Sequence, residues 1–444
     1  MRASVFRLLT LVFGLLAASA APAWGQYAPA DFSDTPSVYI DINRSGGRKF
    51  NIAITDLLPL AAGGKVDRNA SYLPDRLGKN LAMTGLFNCL DQRASLEPEA
   101  QKRSGLDGGG GPPDFPSWSK IGADFLVKGA MSASGSKLTL EMHLFDVGLG
   151  RSLLGKRYSG PLKDARKMIN QFTNAVLEAI TGIPGVFGSE IIFVSGAPST
   201  KDIMLTELGG DEATLLAGHR GGPSTQPTIG PGGRKAWVHR NNKVWELLVD
   251  GRVISSGDAH MSPGFRPDGT VAAAVSGPQS TDIYSFSGRG KTRLTSAGGI
   301  NVSPSFSPDG SRMAYASDQG GVVSIYIASS GGGAGQLLVT GGKATDPAWS
   351  PTGEYITFVS RETDVCIIRP DGSGLRQLTG GQGANQRPSF SPDGRMIVFS
   401  STRNGRPQLF IMAANGDSQQ PLMPDYGPPQ EQPYWSPVRP ALAY

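Results

Sequence analysis

The sequence predicts a chain of mixed class, a small N-terminal α/β domain followed by a six-bladed β-propeller closed by the C-terminal strand. Three observations predict it. A short phrase recurs six times at steps close to forty residues. The last copy is cut short, while a group of strands upstream of the first copy lacks its opening strand. Ahead of both, apolar residues recur at helical spacing beside strand-like runs.

The phrase is clearest as Pro304-Ser305-Phe306-Ser307-Pro308-Asp309-Gly310 and as Pro388-Ser389-Phe390-Ser391-Pro392-Asp393-Gly394. Variants begin at Pro227, Pro263, Pro347 and Pro433, so the leading prolines are separated by 36, 41, 43, 41 and 45 residues. That period, with several short strands per unit, is the signature of propeller blades. In the copy starting at Pro388, residues 388–391 read as a first strand and Ser391-Pro392-Asp393-Gly394 as a type I turn. Residues 396–400, 408–413 and 420–423 follow as three more strands separated by turn residues. A single blade cannot cover both its faces, so blades stack in a ring.

Only seven residues follow Trp435-Ser436-Pro437, too few for three strands. Residues 190–195, 202–207 and 213–217 read as second, third and fourth strands with no first. The final copy supplies it, which makes six blades and removes a free sheet edge.

Residues 1–25 read as a secretory signal, with Arg2 and Arg7 before an apolar run too short to span a bilayer. Ala21-Pro22-Ala23 offers a small-x-small cleavage site and Ala23-Trp24-Gly25 a second. Residues 26–36 form a polar extension, and residues 37–184 the α/β domain. Within it, 38–42, 49–54, 87–90, 124–131, 137–147 and 151–158 read as strands. Residues 73–86 carry leucines at helical spacing and end near Gly85, and 104–117 read as a glycine-rich loop. A long helix runs from Pro161 to Thr181, with Leu162, Ala165, Ile169, Phe172, Val176 and Ile180 on one face, stopped by Gly182 and Pro184. The propeller takes 189–444.

A net charge of +5 without a dense basic run excludes nucleic acid as a partner. Cys89 and Cys366 read as two buried free thiols. No Gly-x-Ser-x-Gly elbow occurs, and no two of the four histidines share metal-ligand spacing, so neither a catalytic nor a metal site is assigned. Asp268, Asp309 and Asp393 recur at one blade position but each lies in Pro-Asp-Gly, so they read as turn formers. Trp237, Trp349 and Trp435 read as core. No cofactor is called for.

The residues just before each leading proline read as six loops around one mouth of the channel. They are Ser224, Thr225 and Gln226; His260, Met261 and Ser262; Asn301, Val302 and Ser303; Thr345 and Asp346; Asn385, Gln386 and Arg387; and Glu431 and Gln432. Loops on a rigid scaffold are the usual place for binding.

The repeats, preceded by an α/β domain carrying Trp118-Ser119-Lys120-Ile121-Gly122-Ala123-Asp124 and ending on Pro433-Tyr434-Trp435-Ser436-Pro437, resemble the TolB family, periplasmic components of the bacterial Tol–Pal envelope system. The resemblance implies a non-enzymatic periplasmic scaffold that supports outer-membrane integrity and envelope constriction at division. It implies that the mouth loops receive the lipoprotein Pal, best matched at His260, Asn301 and Val302. It also implies that TolA engages an N-terminal segment, here Val38, Tyr39, Ile40, Asp41 and Ile42. Peptidoglycan and the outer membrane are then indirect partners, and the chain alone is a monomer. The competing readings are a propeller enzyme and a carbohydrate-binding propeller acting on envelope glycans.

Overall fold

Repetition in the sequence becomes repetition in hydrogen bonding. The computed structural model describes residues 48–61, 72–91, 97–98, 101–107, 111–288, 290–339 and 342–440. All of these fall within one contact unit, Tyr39–Tyr444. The signal, the N-terminal extension and the expected strand 38–42 lie outside the described residues.

The N-terminal sheet has a central strand, Phe50–Ile54, flanked in parallel by Phe87–Cys89 and Phe125–Ser134. Lys137–Asp146 and Arg151–Pro161 continue it antiparallel. The two-residue strand Leu58–Pro59, which the sequence pattern does not reveal, pairs with Phe125–Ser134. Alternation sorts the faces. Ile52, Ile54, Phe125 and Val127 pack under the helices Leu73–Met83 and Ala165–Thr181, whereas Ala53, Leu126 and Phe145 meet Trp118 on the other side.

Two local expectations need correction. The long helix starts at Ala165 rather than Pro161, because residues through Pro161 complete a strand and a single 3-10 turn, Leu162–Asp164, intervenes. Its end is as expected, with Gly182 at φ 73° donating its N–H to Glu178. The glycine-rich loop contains the start of a short helix, Phe115–Lys120, capped by the Asp114 side chain at Ser117 N–H.

Six four-stranded antiparallel sheets follow, with inner strands Ser224–Ile229, His260–Phe265, Asn301–Phe306, Ala344–Trp349, Asn385–Phe390 and Gln430–Trp435. The inner strands begin three residues before the leading prolines, so the expected mouth loops are the first halves of strands. Gln430–Trp435 pairs antiparallel with Glu190–Ser195, from Gln430 opposite Ser195 to Trp435 opposite Ile191. Asp202–Glu207 and Thr214–Ala217 complete that blade. The far end of the chain thus closes the ring.

Trp435 concentrates this closure. It is 1% exposed. Its indole Nε1 donates to Ser189 Oγ at 2.8 Å, and its backbone N–H donates to Ser389 Oγ of the neighbouring blade at 3.0 Å. It shares one apolar core with Phe193, Met396 and Ile411 of the propeller and with Leu77 and Phe172 of the α/β part. Polar bonds cross the same seam: Arg395 Nη1 donates to Thr181 Oγ1 at 2.9 Å, and Lys49 Nζ to Ser418 Oγ at 3.1 Å. Truncating a buried tryptophan removes its transfer free energy and leaves a cavity. Trp435→Ala is therefore expected to cost about 3–5 kcal/mol, read as a lower urea midpoint at unchanged slope; an unchanged midpoint would remove Trp435 from the closure.

Candidate functional site

Each inner strand carries the same irregularity. The register slips by one residue between positions 225 and 228, 261 and 264, 302 and 305, 345 and 348, 386 and 389, and 431 and 434. This is a β-bulge, and the residue just before the leading proline absorbs it. Gln226, Ser262, Ser303, Asp346, Arg387 and Gln432 all adopt left-handed backbone, with φ of 54°, 48°, 56°, 51°, 51° and 50°. Non-glycine residues rarely do so, and each such position costs of order 1–3 kcal/mol unless its surroundings fix it.

The bulges bring these six side chains into one polar network across the central channel. Gln226 N–H donates to Gln432 Oε1 at 2.8 Å, and Ser262 N–H to Gln226 Oε1 at 2.6 Å. Ser303 Oγ bridges Ser262 Oγ at 3.4 Å and Asp346 Oδ1 at 3.5 Å. Arg387 Nε lies 3.2 Å from Asp346 Oδ1, and Nη2 donates to Ser262 Oγ at 3.3 Å. Next to the network lies a cavity of about 350 Å³, walled by the leading prolines and by Phe265, Phe306 and Trp349.

The other expected mouth residues have different places. Ser224, His260, Asn301 and Asn385, each the first of its strand, are buried rather than free. Asn301 Nδ2 donates to Thr281 O and Gly298 O, both at 3.1 Å, and its Oδ1 accepts from Ser317 Oγ at 2.8 Å. Asn385 Nδ2 donates to Thr363 O at 2.6 Å. His260 Nε2 meets Ser255 Oγ at 2.8 Å, and Ser224 Oγ meets His239 Nδ1 at 2.9 Å. The two asparagines pin the crossing from one blade to the next, where backbone carbonyls would otherwise lack partners. Burial pushes the His260 imidazole below its ordinary pKa. Thr225, Met261, Val302, Thr345 and Glu431 are half-buried and Gln386 is exposed, with Glu431 paired to Lys201 at 2.5 Å.

The recurring aspartates are turn formers. Asp309 accepts from Ser307 Oγ at 2.5 Å and from Ser311 N–H at 3.0 Å, and the Ser307 hydroxyl foremost holds its pKa at about 2. Asp393 and Asp268 make the equivalent bonds to Arg395 N–H and Thr270 N–H. Cys366 is buried as expected, but Cys89 is exposed, because it ends a short edge strand. Among the described residues, Asp107, Glu141 and His143 bring metal-ligating atoms together. Glu141 is already engaged there by Asp107 N–H at 2.8 Å, His143 at 3.1 Å and Arg157 at 3.4 Å. The left-handed ring itself escaped sequence reasoning. Its one available signal is a polar residue before every leading proline.

Fold and channel together define a six-bladed β-propeller with an attached α/β part and a bore lined by three charged side chains, Arg266, Asp346 and Arg387. The family model for the TolB beta propeller domain matches residues 177–439, and that for the TolB amino-terminal domain matches 38–153. The chain belongs to the TolB family and is a Tol–Pal system protein. It is 33% identical over 414 residues to a Protein TolB homolog of Chlorobium luteolum, covering 90% of this chain and 92% of the relative. It is 32% identical over 229 residues to the Tol-Pal system protein TolB of Syntrophotalea carbinolica, covering 52% and 49%. The crystal structure of TolB from Acinetobacter baumannii superposes with a TM-score of 0.75 at 23% identity, covering 88% of this chain and 98% of that one, which shows the shared fold. No helix among the described residues is long and apolar enough to cross a membrane.

The φ values make a direct prediction. At Ser303, glycine relieves the strain and stays within about 1 kcal/mol of wild type, whereas Ser303→Val, β-branched in left-handed backbone, costs about 1–3 kcal/mol. Urea denaturation of both variants checks it; equal stability of the two would contradict the assigned backbone.

Proposed function

We propose that this chain is a periplasmic, non-enzymatic scaffold of the Tol–Pal system that binds Pal through the propeller mouth and TolA through residues 38–42. In that role it supports outer-membrane integrity and envelope constriction during division. In this reading residues 37–184 form the α/β domain that follows the extension and 189–444 the propeller whose mouth faces Pal. The observation that carries the reading is the ring of six strained, hydrogen-bonded polar residues at the channel. Strain of this kind persists where a rigid surround holds side chains ready for use, and a preordered lining lowers the entropic cost of docking a macromolecule. Family membership adds the system in which the partners are sought.

The buried anchors His260 and Asn301 serve this role indirectly, by fixing the mouth, while Gln386 is exposed there and Val302 and Thr345 are half-buried. The N-terminal segment acts as a switch, docked on its own protein or released to TolA. Pal occupancy biases that equilibrium only by its difference in affinity for the two states.

Surface plasmon resonance with purified Pal and purified TolA tests the proposal. Val302→Arg is expected to weaken Pal capture at least tenfold while leaving TolA binding intact, and deletion of residues 26–42 is expected to abolish TolA binding. Persistence of TolA binding after the deletion, or of full Pal capture in Val302→Arg, overturns the corresponding half.

A further inference from the structure

The ring is not symmetric. Four of its members, Gln226, Ser262, Ser303 and Gln432, are neutral, and the two charged ones are neighbours. Arg387 reaches from the fifth repeat to Ser262 of the second and so crosses the bore. Its side chain is 25% exposed and that of Asp346 is 19% exposed, so the pair is neither sealed nor fully solvated. Its Nε stands 3.2 Å from Asp346 Oδ1 without hydrogen-bond alignment, Nη2 is shared with a serine hydroxyl, and Nη1 has no hydrogen-bond partner among the described residues. A guanidinium has five donors in a planar fork suited to a carboxylate held by two parallel bonds. Asp346 satisfies little of that capacity. The other charged side chain lining the bore, Arg266, is already engaged: its Nη1 and Nη2 donate to Ser330, its Nε lies 3.6 Å from Asp268 Oδ2, and its guanidinium covers Phe306.

From this geometry we propose that Arg387 is an anion anchor, recognising a carboxylate that the mouth's protein partner inserts into the bore, with Asp346 as the internal competitor that the incoming group displaces. The proposal rests on the protein-binding reading of the mouth. Asp346 shows that a carboxylate fits beside the guanidinium. Apart from Asp346, the other ring members, Gln226, Ser262, Ser303 and Gln432, carry hydroxyl or amide side chains, and a cavity of about 350 Å³ lies beside them. In the free protein Asp346 keeps Arg387 from standing as an unpaired cation in a partly desolvated site. In the complex the partner's carboxylate gains the unused donors, and the released Asp346 retains Ser303 Oγ.

The two halves of the pair therefore have opposite effects, which a structural ion pair would not give. With purified Pal as probe, Arg387→Gln is expected to weaken binding at least tenfold and to flatten its dependence on salt. Asp346→Asn is expected to strengthen binding severalfold, since it removes both the competitor and a charge that repels the incoming group. Urea denaturation of each variant separates loss of fold from loss of contact. A second arm titrates sodium acetate against the wild-type complex; competition at millimolar acetate that is lost in Arg387→Gln identifies the carboxylate as the recognised group. If wild type captures Pal and Arg387→Gln captures it equally, or if Asp346→Asn weakens binding as much as Arg387→Gln does, the anchor is refuted while the mouth reading stands. If wild type fails to capture Pal, it is the mouth reading that falls.

Discussion

One backbone ladder carries the rest of the molecule. Gln430–Trp435 lies against Glu190–Ser195, residues some 240 positions apart in the chain. Sheets close into a ring only when the last edge finds a partner, and an unpaired edge inside a stacked blade leaves backbone groups without hydrogen bonds. Three other features depend on the same ladder. Gln432 completes the polar ring by accepting from Gln226. Gln430 holds Leu409 N–H with its side-chain oxygen at 3.0 Å. Trp435 fills the core that the propeller shares with the α/β part. Closure, one member of the channel ring and part of the core shared with the N-terminal part thus meet in one six-residue strand.

The bulges explain how a β-propeller, whose inner strands are built from alternating packed residues, presents polar side chains to its axis. A regular strand would pair every residue and turn successive side chains to the two blade faces. One extra residue per inner strand breaks the alternation and frees a side chain for the bore. The stored strain is spread over six equivalent positions and is held by the flanking pairs of each ladder. Because the backbone is common to all six, chemistry at the ring varies with side chain alone. This chain uses that freedom to place one cation and one anion side by side among neutral neighbours.

Much of this was legible in the sequence, for identifiable reasons. The recurring proline phrase reports turns whose chemistry is local, and Asp309 and Asp393 bond within their own turns, so spacing alone gave the blade count. The truncated last copy gave the closure, because missing strands are a matter of counting. The long helix was visible from its apolar stripe, yet its start was misplaced by four residues, since a proline at a strand end resembles one at a helix start. The mouth was harder. Asn301 and Asn385 look like loop residues by composition, but their side chains replace missing backbone partners and are buried for that reason. The left-handed ring depends on register across strands, which no single segment encodes. A free cysteine is by default a buried small apolar residue, but Cys89 ends an edge strand, which has one open side.

Native-state hydrogen exchange at the closing ladder bears most directly on this account. The amides of 430–435 and of 190–195 are predicted to exchange together, through the same opening event and with protection equal to that of the other inner strands. Exchange of 430–435 by an easy local opening that leaves 190–195 protected would contradict a ring held shut by its C-terminal strand.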